Sequence, residues 1–489
     1  MNTILQKNWL DNKYVKWFAI ACCVLLLGYA LGMMAIRPSN IRLLLAASLL
    51  LLLFAFSLRQ PIIVLYLLMI YMPFLALFRR MLIPLAGWNS IDPLLLVQPI
   101  IVLVLFSRWL YAKYIGRQEI TDDTPIFRMI RWMMLVDFLQ IFNPLQGSLL
   151  TGFAGVIYYF VPVCFVIISR EYFDEAWMKR MFATIFVIGI IVALYGYKQF
   201  LFGFSSFEEQ WIEISGFTAL KVYSVTRPIG TFSSGSEYAH YLGIAAIIGW
   251  AYVLRHRSGM VKLIGLLALG LLYSALFIES ARGVIVTVTA ALTVITIMST
   301  KSTKNKVLLA LLSAAVLSGL FVGMSKLNTD NDLIYHSVSG LTDPFGEHST
   351  VDGHLSLMRD GFQIGLLNPL GHGLGSTTIA GAKFSGAALS SEVDLSNKLM
   401  ATGIVGGTLY FLIIIRTLYA AFRQVKFGHI SHLIILGVLI AEGGQWLTGG
   451  HYSIMGPLWL MIGYLDKTSA PLQNKNKPLR KEKEEGAYH

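Results

Sequence analysis

The sequence predicts an all-α polytopic membrane protein of about 12–14 transmembrane helices, with two long outer loops, the larger containing short helices. Three observations carry that prediction. Hydrophobic residues make up 56% of the 489-residue chain and charged residues only 13%, too few for an ordinary soluble surface. Mean hydropathy is +0.65. The apolar residues are gathered into runs of about twenty, the helix length that crosses a bilayer, and Lys and Arg cluster between those runs.

Taken in order, candidate spans fall at 17–36, 41–58, 61–78, 93–111, 126–143, 150–168, 180–202, 236–254, 261–279, 283–299, 306–324, 396–417, 430–448 and 452–466. The 126–143 segment departs furthest from the pattern, since Arg128, Arg131 and Asp137 lie on it. The polar N-terminal stretch leads into the first run without a small-residue cleavage site, which reads as a retained helix. With that terminus inside, most of the 39 basic residues sit at inner ends of spans, including the short clusters RHRSGMVK, STKSTKNK and RQVKFGH. Both termini are then cytoplasmic. The chain divides into N-terminal spans (1–202), an outer loop (203–235), a second set of spans (236–324), a large outer loop (325–395), C-terminal spans (396–466) and a cytoplasmic tail (467–489). The tail, charged and punctuated by Pro471 and Pro478, is expected to be disordered.

Composition also narrows the chemistry. Cys22, Cys23 and Cys164 lie inside apolar runs, so neither a disulfide framework nor a zinc site is expected. No metal or cofactor is called for. The net charge of +12 is accounted for by topology and anionic headgroups, so nucleic acid is not an expected partner and the lipid bilayer is.

Three polar constellations interrupt the apolar chain. The first, VTRPIGTFSSGSEYAHYL (225–242), places Arg227 before a Pro/Gly turn whose amides are expected to meet an anion. The competing reading is an arginine snorkelling to a headgroup, with Ser or Glu capping the next helix. His240 and Glu237 share a helix face there. The second, IESARGVIVT (278–287), places Arg282 in a short outer connection. A guanidinium near the membrane is costly unless paired, for which Glu279 is at hand, or functional. The third lies in the large loop. Leu355, Met358, Phe362 and Leu366 recur at helical spacing, predicting a short amphipathic helix near the interface that carries His354 and Arg359. GHGLGS, with His372, lacks the GK[ST] ending of a phosphate loop and reads as a flexible, backbone-exposing turn. Glu392 and Asp394 precede the next span, either as capping carboxylates or as chemical groups, and GIVGG would let a neighbouring helix approach closely.

The order RPIGTF, then SARG, then an arginine before P-x-GHGLGS, then an acidic site a dozen residues before GIVG, resembles the Wzy_C group of bacterial polysaccharide polymerases and O-antigen ligases. The resemblance spans residues from about 150 to 465. It implies a multi-span inner-membrane glycosyltransferase acting at the periplasmic face on undecaprenyl-diphosphate-linked oligosaccharide, without a nucleotide sugar or a metal. It implies that Arg227 and Arg282 contact the diphosphate, with Arg359 matching a third arginine. Where ligases carry a histidine this chain has Glu392, which favours a polymerase of exopolysaccharide or O-antigen. The chemistry agrees, because arginines stay protonated and bind phosphate oxygens bidentately as the leaving group gains charge. A half-buried Glu392 would accept the proton of the attacking sugar hydroxyl, with His354 and His372 as alternatives. Glu392, Arg282 and Arg227 are therefore the candidate catalytic residues, and Arg359, His354, His372, Asp394 and His240 the candidate substrate-binding ones. A flippase and a chain-length regulator are expected partners. Ligase transfer to an acceptor, and a flippase for the same lipids, remain competing functions.

Overall fold

The computed structural model describes residues 28, 29, 32, 40–88, 91–116, 123–215, 221–222, 225–326, 330–346, 351–386, 388–389, 391, 393–426, 428–447 and 451–475. In chain order the α-helices of seven residues or more are α1 (Ile41–Arg59), α2 (Pro61–Met81), α3 (Val97–Leu110), α4 (Pro125–Gln140), α5 (Leu149–Tyr172), α6 (Glu175–Phe202), α7 (Ser206–Ser215) and α8 (Gly235–Arg255). There follow α9 (Gly259–Glu279), α10 (Arg282–Met298), α11 (Thr303–Ser325), α12 (Asp332–Thr342), α13 (Val351–Leu367), α14 (Ile379–Ser385), α15 (Asp394–Val425), α16 (Ile430–Ala441) and α17 (Tyr452–Lys475). A 3-10 turn at Pro93–Leu96 and a π turn at Tyr111–Ile115 extend α3 at its two ends. A small antiparallel hairpin, β1 (Lys221–Val222) with β2 (Val225–Thr226), precedes Arg227.

Among the described residues, eight helices are long and apolar enough to cross a membrane: α1, α2, the continuous Pro93–Ile115 segment, α5, α6, α9, α11 and α15. The apolar α10 and α16 are shorter. This is the build of an all-α, multi-pass membrane protein. Apolar side chains point outward as well as inward, because lipid and the interior solvate them alike. Leu308, Leu311 and Leu320 of α11, a helix with no buried residue, are each about half exposed or more. The core lies on α8, α16 and α17, which are buried along most of their length, with α8 packed between α6, α9, α10 and α16.

The charged segment at 126–143 folds as α4, and the reason is pairing. Asp137 receives the Lys398 ammonium of α15 with both side chains fully buried, while Arg128 and Arg131 reach the exposed Asp123 just ahead of the helix. Cys164 is a free, fully buried thiol in α5; Cys22 and Cys23 lie outside the described residues.

The bundle has two polar ends. At one, Arg108 donates to the Ser57 carbonyl, Arg170 pairs with Asp466, and Glu175 accepts from Ser431. The tail call needs correction there. Helix α17 continues past Asp466 to Lys475, anchored by Lys467 Nζ on the Phe173 carbonyl (3.1 Å) and by the Thr468 hydroxyl on Gln424 Oε1 (2.9 Å). The remainder of the tail lies outside the described residues.

At the other end gather the described parts of the 203–235 loop, the short turns that join helices, and the three helices α12, α13 and α14 of the large loop. The short helix expected around His354 and Arg359 is present as α13, and its apolar Leu355 and Leu366 are 47% and 61% exposed. The buried seam is Gly361 and Gly365, pressed on Ser391, Ser396 and Leu399; a Cβ at Gly361 would lie 2.7 Å from the Ser391 Cβ. Close backbone approach against α15 sets this orientation.

Candidate functional site

The turn between α9 and α10 is built around a strained serine. Ser280 has φ 72°, the one non-glycine with positive φ among the described residues, a conformation that costs about 1–3 kcal/mol. That geometry lets one short turn reverse the chain and buries the Ser280 hydroxyl 2.6 Å from His336 Nδ1 of α12. Helix α12 is seated by the next residue, whose Ser337 hydroxyl donates to the Phe277 carbonyl at 2.9 Å. One turn further along α12, Gly340 leaves room for the Arg282 guanidinium, and a Cβ there would fall 1.8 Å from Arg282 Nη1.

Arg227 comes to the same place from the hairpin. Its Nη1 lies 3.3 Å from Glu279 Oε1, and Glu279, fully buried, rests against Gly235 at the start of α8. Glu279 therefore pairs with Arg227. Burial, then the Arg282 and Arg227 charges, push the His336 imidazole down to about 4, so it is neutral near pH 7. The two arginines converge on one histidine that the sequence did not single out.

The RPIGTF turn corrects an expectation, because its amides are not free. Gln199 Oε1 accepts from the Ile229 and Gly230 amides at 3.0 and 2.8 Å, and Arg80 donates to the Phe232 and Gly230 carbonyls at 2.5 and 2.9 Å. Thr231 enters the ladder of α2 beside Pro73. Its hydroxyl donates to the Pro73 carbonyl at 2.6 Å, and its carbonyl accepts from the Leu77 amide at 2.9 Å. A proline-broken helix thus finds its missing partners in the loop. The turn is a clamp that holds Arg227 in place. The cap expected there is present, the Ser234 hydroxyl accepting from the Glu237 amide at 3.1 Å.

GHGLGS is corrected likewise. Its residues are largely buried, and the amides of His372, Gly373 and Leu374 donate to the carbonyls of Met400, Ala401 and Gln140 at 2.8, 3.0 and 3.1 Å. Those α15 carbonyls are available because Gly403, at φ 70° and ψ −171°, breaks the helix, and Pro369 accepts from the Ile404 amide in return. His372 is a tie in this exchange, with its ring Nδ1 3.2 Å from the same Met400 carbonyl. The GIVGG glycines do allow close approach, of the 369–371 loop at Gly403.

A second cluster adjoins the arginines. His240 Nδ1 lies 3.0 Å from Glu442 Oε2, and its ring centroid is 5.7 Å from that of His451. Burial and His240 push the His451 imidazole down to about 3. Asp394 does not cap α15, as the N-cap is Val393 and makes no side-chain bond. The Asp394 carboxylate is buried and accepts from the Leu447 amide at 2.5 Å, while its own amide donates to Gln445 Oε1 at 2.7 Å, so it fastens the turn that carries Glu442. The His240–Glu442 contact ties α8 to the turn that follows α16.

His354 lines a small cavity of about 310 Å³ with Met358, Val393 and Gln445, at the margin of this second cluster. Arg359 is exposed on α13, outside the seam with α15. Glu392 lies outside the described residues. Sequence reasoning missed His336, Glu442 and His451. The one available signal was that a buried arginine turn needs polar company, which names no residue. Among the described residues no three His, Cys, Asp or Glu side chains stand together as a metal site. Comparison of the chain with protein-family models, and with curated proteins, gives no match.

Proposed function

We propose that this chain is a membrane glycosyltransferase of the Wzy_C kind, polymerising undecaprenyl-diphosphate-linked repeat units into exopolysaccharide or O-antigen at the periplasmic face of a bacterial inner membrane. The observation that supports it best is the convergence of Arg227 and Arg282 about a neutral His336 at one polar end of an apolar bundle. The proposal includes about 12–14 spans and cytoplasmic termini, by the run lengths and basic clusters of the sequence.

In this reading the two guanidiniums hold the donor's diphosphate. The bond between the anomeric carbon and the diphosphate oxygen breaks, and the leaving oxygen gains negative charge that permanent cations stabilise. The anomeric carbon bonds to an acceptor hydroxyl, whose proton passes to a base; Glu392 is proposed for that role. His336, uncharged, leaves the cationic charge on the arginines and accepts or donates one hydrogen bond at the Ser280 side. No nucleotide sugar is needed, because the diphosphate lipid is itself the activated donor.

Alanine at Arg227 or Arg282 should lower chain extension about 10²–10³-fold, the range for losing one donor to a developing oxyanion, while the protein stays in the membrane. Chain lengths unchanged in both variants would refute the assignment. In cells, loss of the gene should leave single repeat units on lipid; long lipid-linked chains would indicate a ligase.

A further inference from the structure

A larger cavity, of about 480 Å³, lies at the same end but on the other flank of Glu237, and none of the residues above accounts for it. Its walls come from α2, α5, α14 and the turn before α3, and are mostly apolar: Leu75, Leu96, Phe153, Ile157, Ile379 and Phe384. Its rim carries Arg79, Lys383, Asp92, Tyr158, Ser233 and Glu237.

Counted together with Arg42 behind Asp92, the charges at that rim sum to a net positive. Asp92 is shared by two guanidiniums, Arg42 Nη1 at 2.5 Å and Arg79 Nε at 3.0 Å, and also accepts from the Leu94 amide. Glu237 is directed inward, accepting from the Ser233 hydroxyl at 2.8 Å and from the Ser453 hydroxyl and amide at 2.7 and 3.2 Å. Lys383, exposed at the mouth, has no carboxylate partner among the described residues and shares the rim with Arg79. The two carboxylates are thus engaged from within, while cationic charge remains at the mouth of an apolar chamber. Ligand sites of this size are mostly apolar with a few placed polar groups. An anionic head on a long hydrocarbon tail is the complementary shape and charge.

We infer that this cavity is a second lipid site, which takes the phosphate end and first isoprene units of the acceptor's polyprenyl diphosphate. The inference rests on the polymerase reading. Polymerisation joins two lipid-linked glycans, and the acceptor keeps its own lipid diphosphate while the donor's departs. Ser233 and Glu237 belong to the same turn and helix start that position Arg227, so the two lipid sites flank one short segment.

The test uses the full-length protein in proteoliposomes with a diazirine-bearing polyprenyl diphosphate that carries no sugar, followed by peptide mapping of the label. We expect labelling of α2 and α14 peptides. It should fall about tenfold in Lys383→Gln, an exposed position that folding tolerates, and in Ala154→Trp, which fills the chamber. It should persist in Arg282→Ala. Labelling of these peptides that neither variant lowers overturns the site, as does equal competition by phosphatidylglycerol, which would make it a general lipid groove. Labelling needs no turnover, so the two readings fail separately. Specific labelling in a protein that extends no glycan refutes the polymerase, and glycan extension without this labelling refutes the cavity's role.

Discussion

Gly340→Ala is expected to separate activity from stability. A Cβ at this position would stand 1.8 Å from Arg282 Nη1, whereas non-bonded contact requires about 3.5 Å, so the guanidinium must retreat by about 1.7 Å. The obstructing atoms are the far end of a flexible side chain, so relief costs little fold energy. Alanine is also favoured over glycine inside a helix by about 0.5–1 kcal/mol. Stability should hold or rise slightly. Catalysis should suffer, because a misplacement of about 1 Å in a positioning group costs on the order of 10²-fold. The assay is chain extension by purified protein in lipid nanodiscs supplied with diphosphate-linked repeat units, read as chain length on a gel, alongside a thermal melt of the same sample. Extension within threefold of wild type would refute the placement of Arg282 at a diphosphate. A parallel loss of melting temperature would assign the defect to folding and refute the separation of effects.

Other expectations are as specific. Gly403→Ala places a Cβ 2.2 Å from the Pro369 carbonyl oxygen at φ 70°, and the atoms it would meet are all backbone; a loss of about 3 kcal/mol or more should appear as protease sensitivity in α15 and its neighbours, and wild-type resistance would contradict the backbone exchange. Lys398→Met should destabilise by about 3–5 kcal/mol by leaving Asp137 buried without its cation, and adding Asp137→Leu should restore most of it, a double-mutant cycle that additive losses would defeat. His336 carries a pH signature: its folded pKa of about 4 lies below the unfolded value of about 6.5, so the unfolded chain binds more protons between them and stability falls as pH drops from about 6.5 towards 4. His336→Gln should flatten that slope in a pH series of thermal melts, and an unchanged slope would show that the imidazole does not feel the two arginines.

Apolar runs of about twenty residues suffice to specify helices in this chain, because in lipid a backbone must satisfy its own hydrogen bonds. The candidate spans at 41–58, 61–78, 150–168 and 261–279 match α1, α2, α5 and α9 closely for that reason. Arg227 and Arg282 were legible as candidates because an arginine at an apolar boundary demands a partner or a purpose. Three things depended on long-range contacts that no local pattern encodes. The amides of RPIGTF and GHGLGS looked free in sequence, but Gln199 and the break at Gly403 supply their partners from distant helices. Asp137, an anomaly on α4 alone, became ordinary once Lys398 was beside it. His336 acquired its environment only when α12 folded back over the α9–α10 turn. Sequence determined which segments must be helices in an apolar solvent, since that is a property of each segment alone. Tertiary structure decided which polar groups share a buried space, since electrostatics and hydrogen bonding there depend on distances of a few ångströms between residues far apart in the chain.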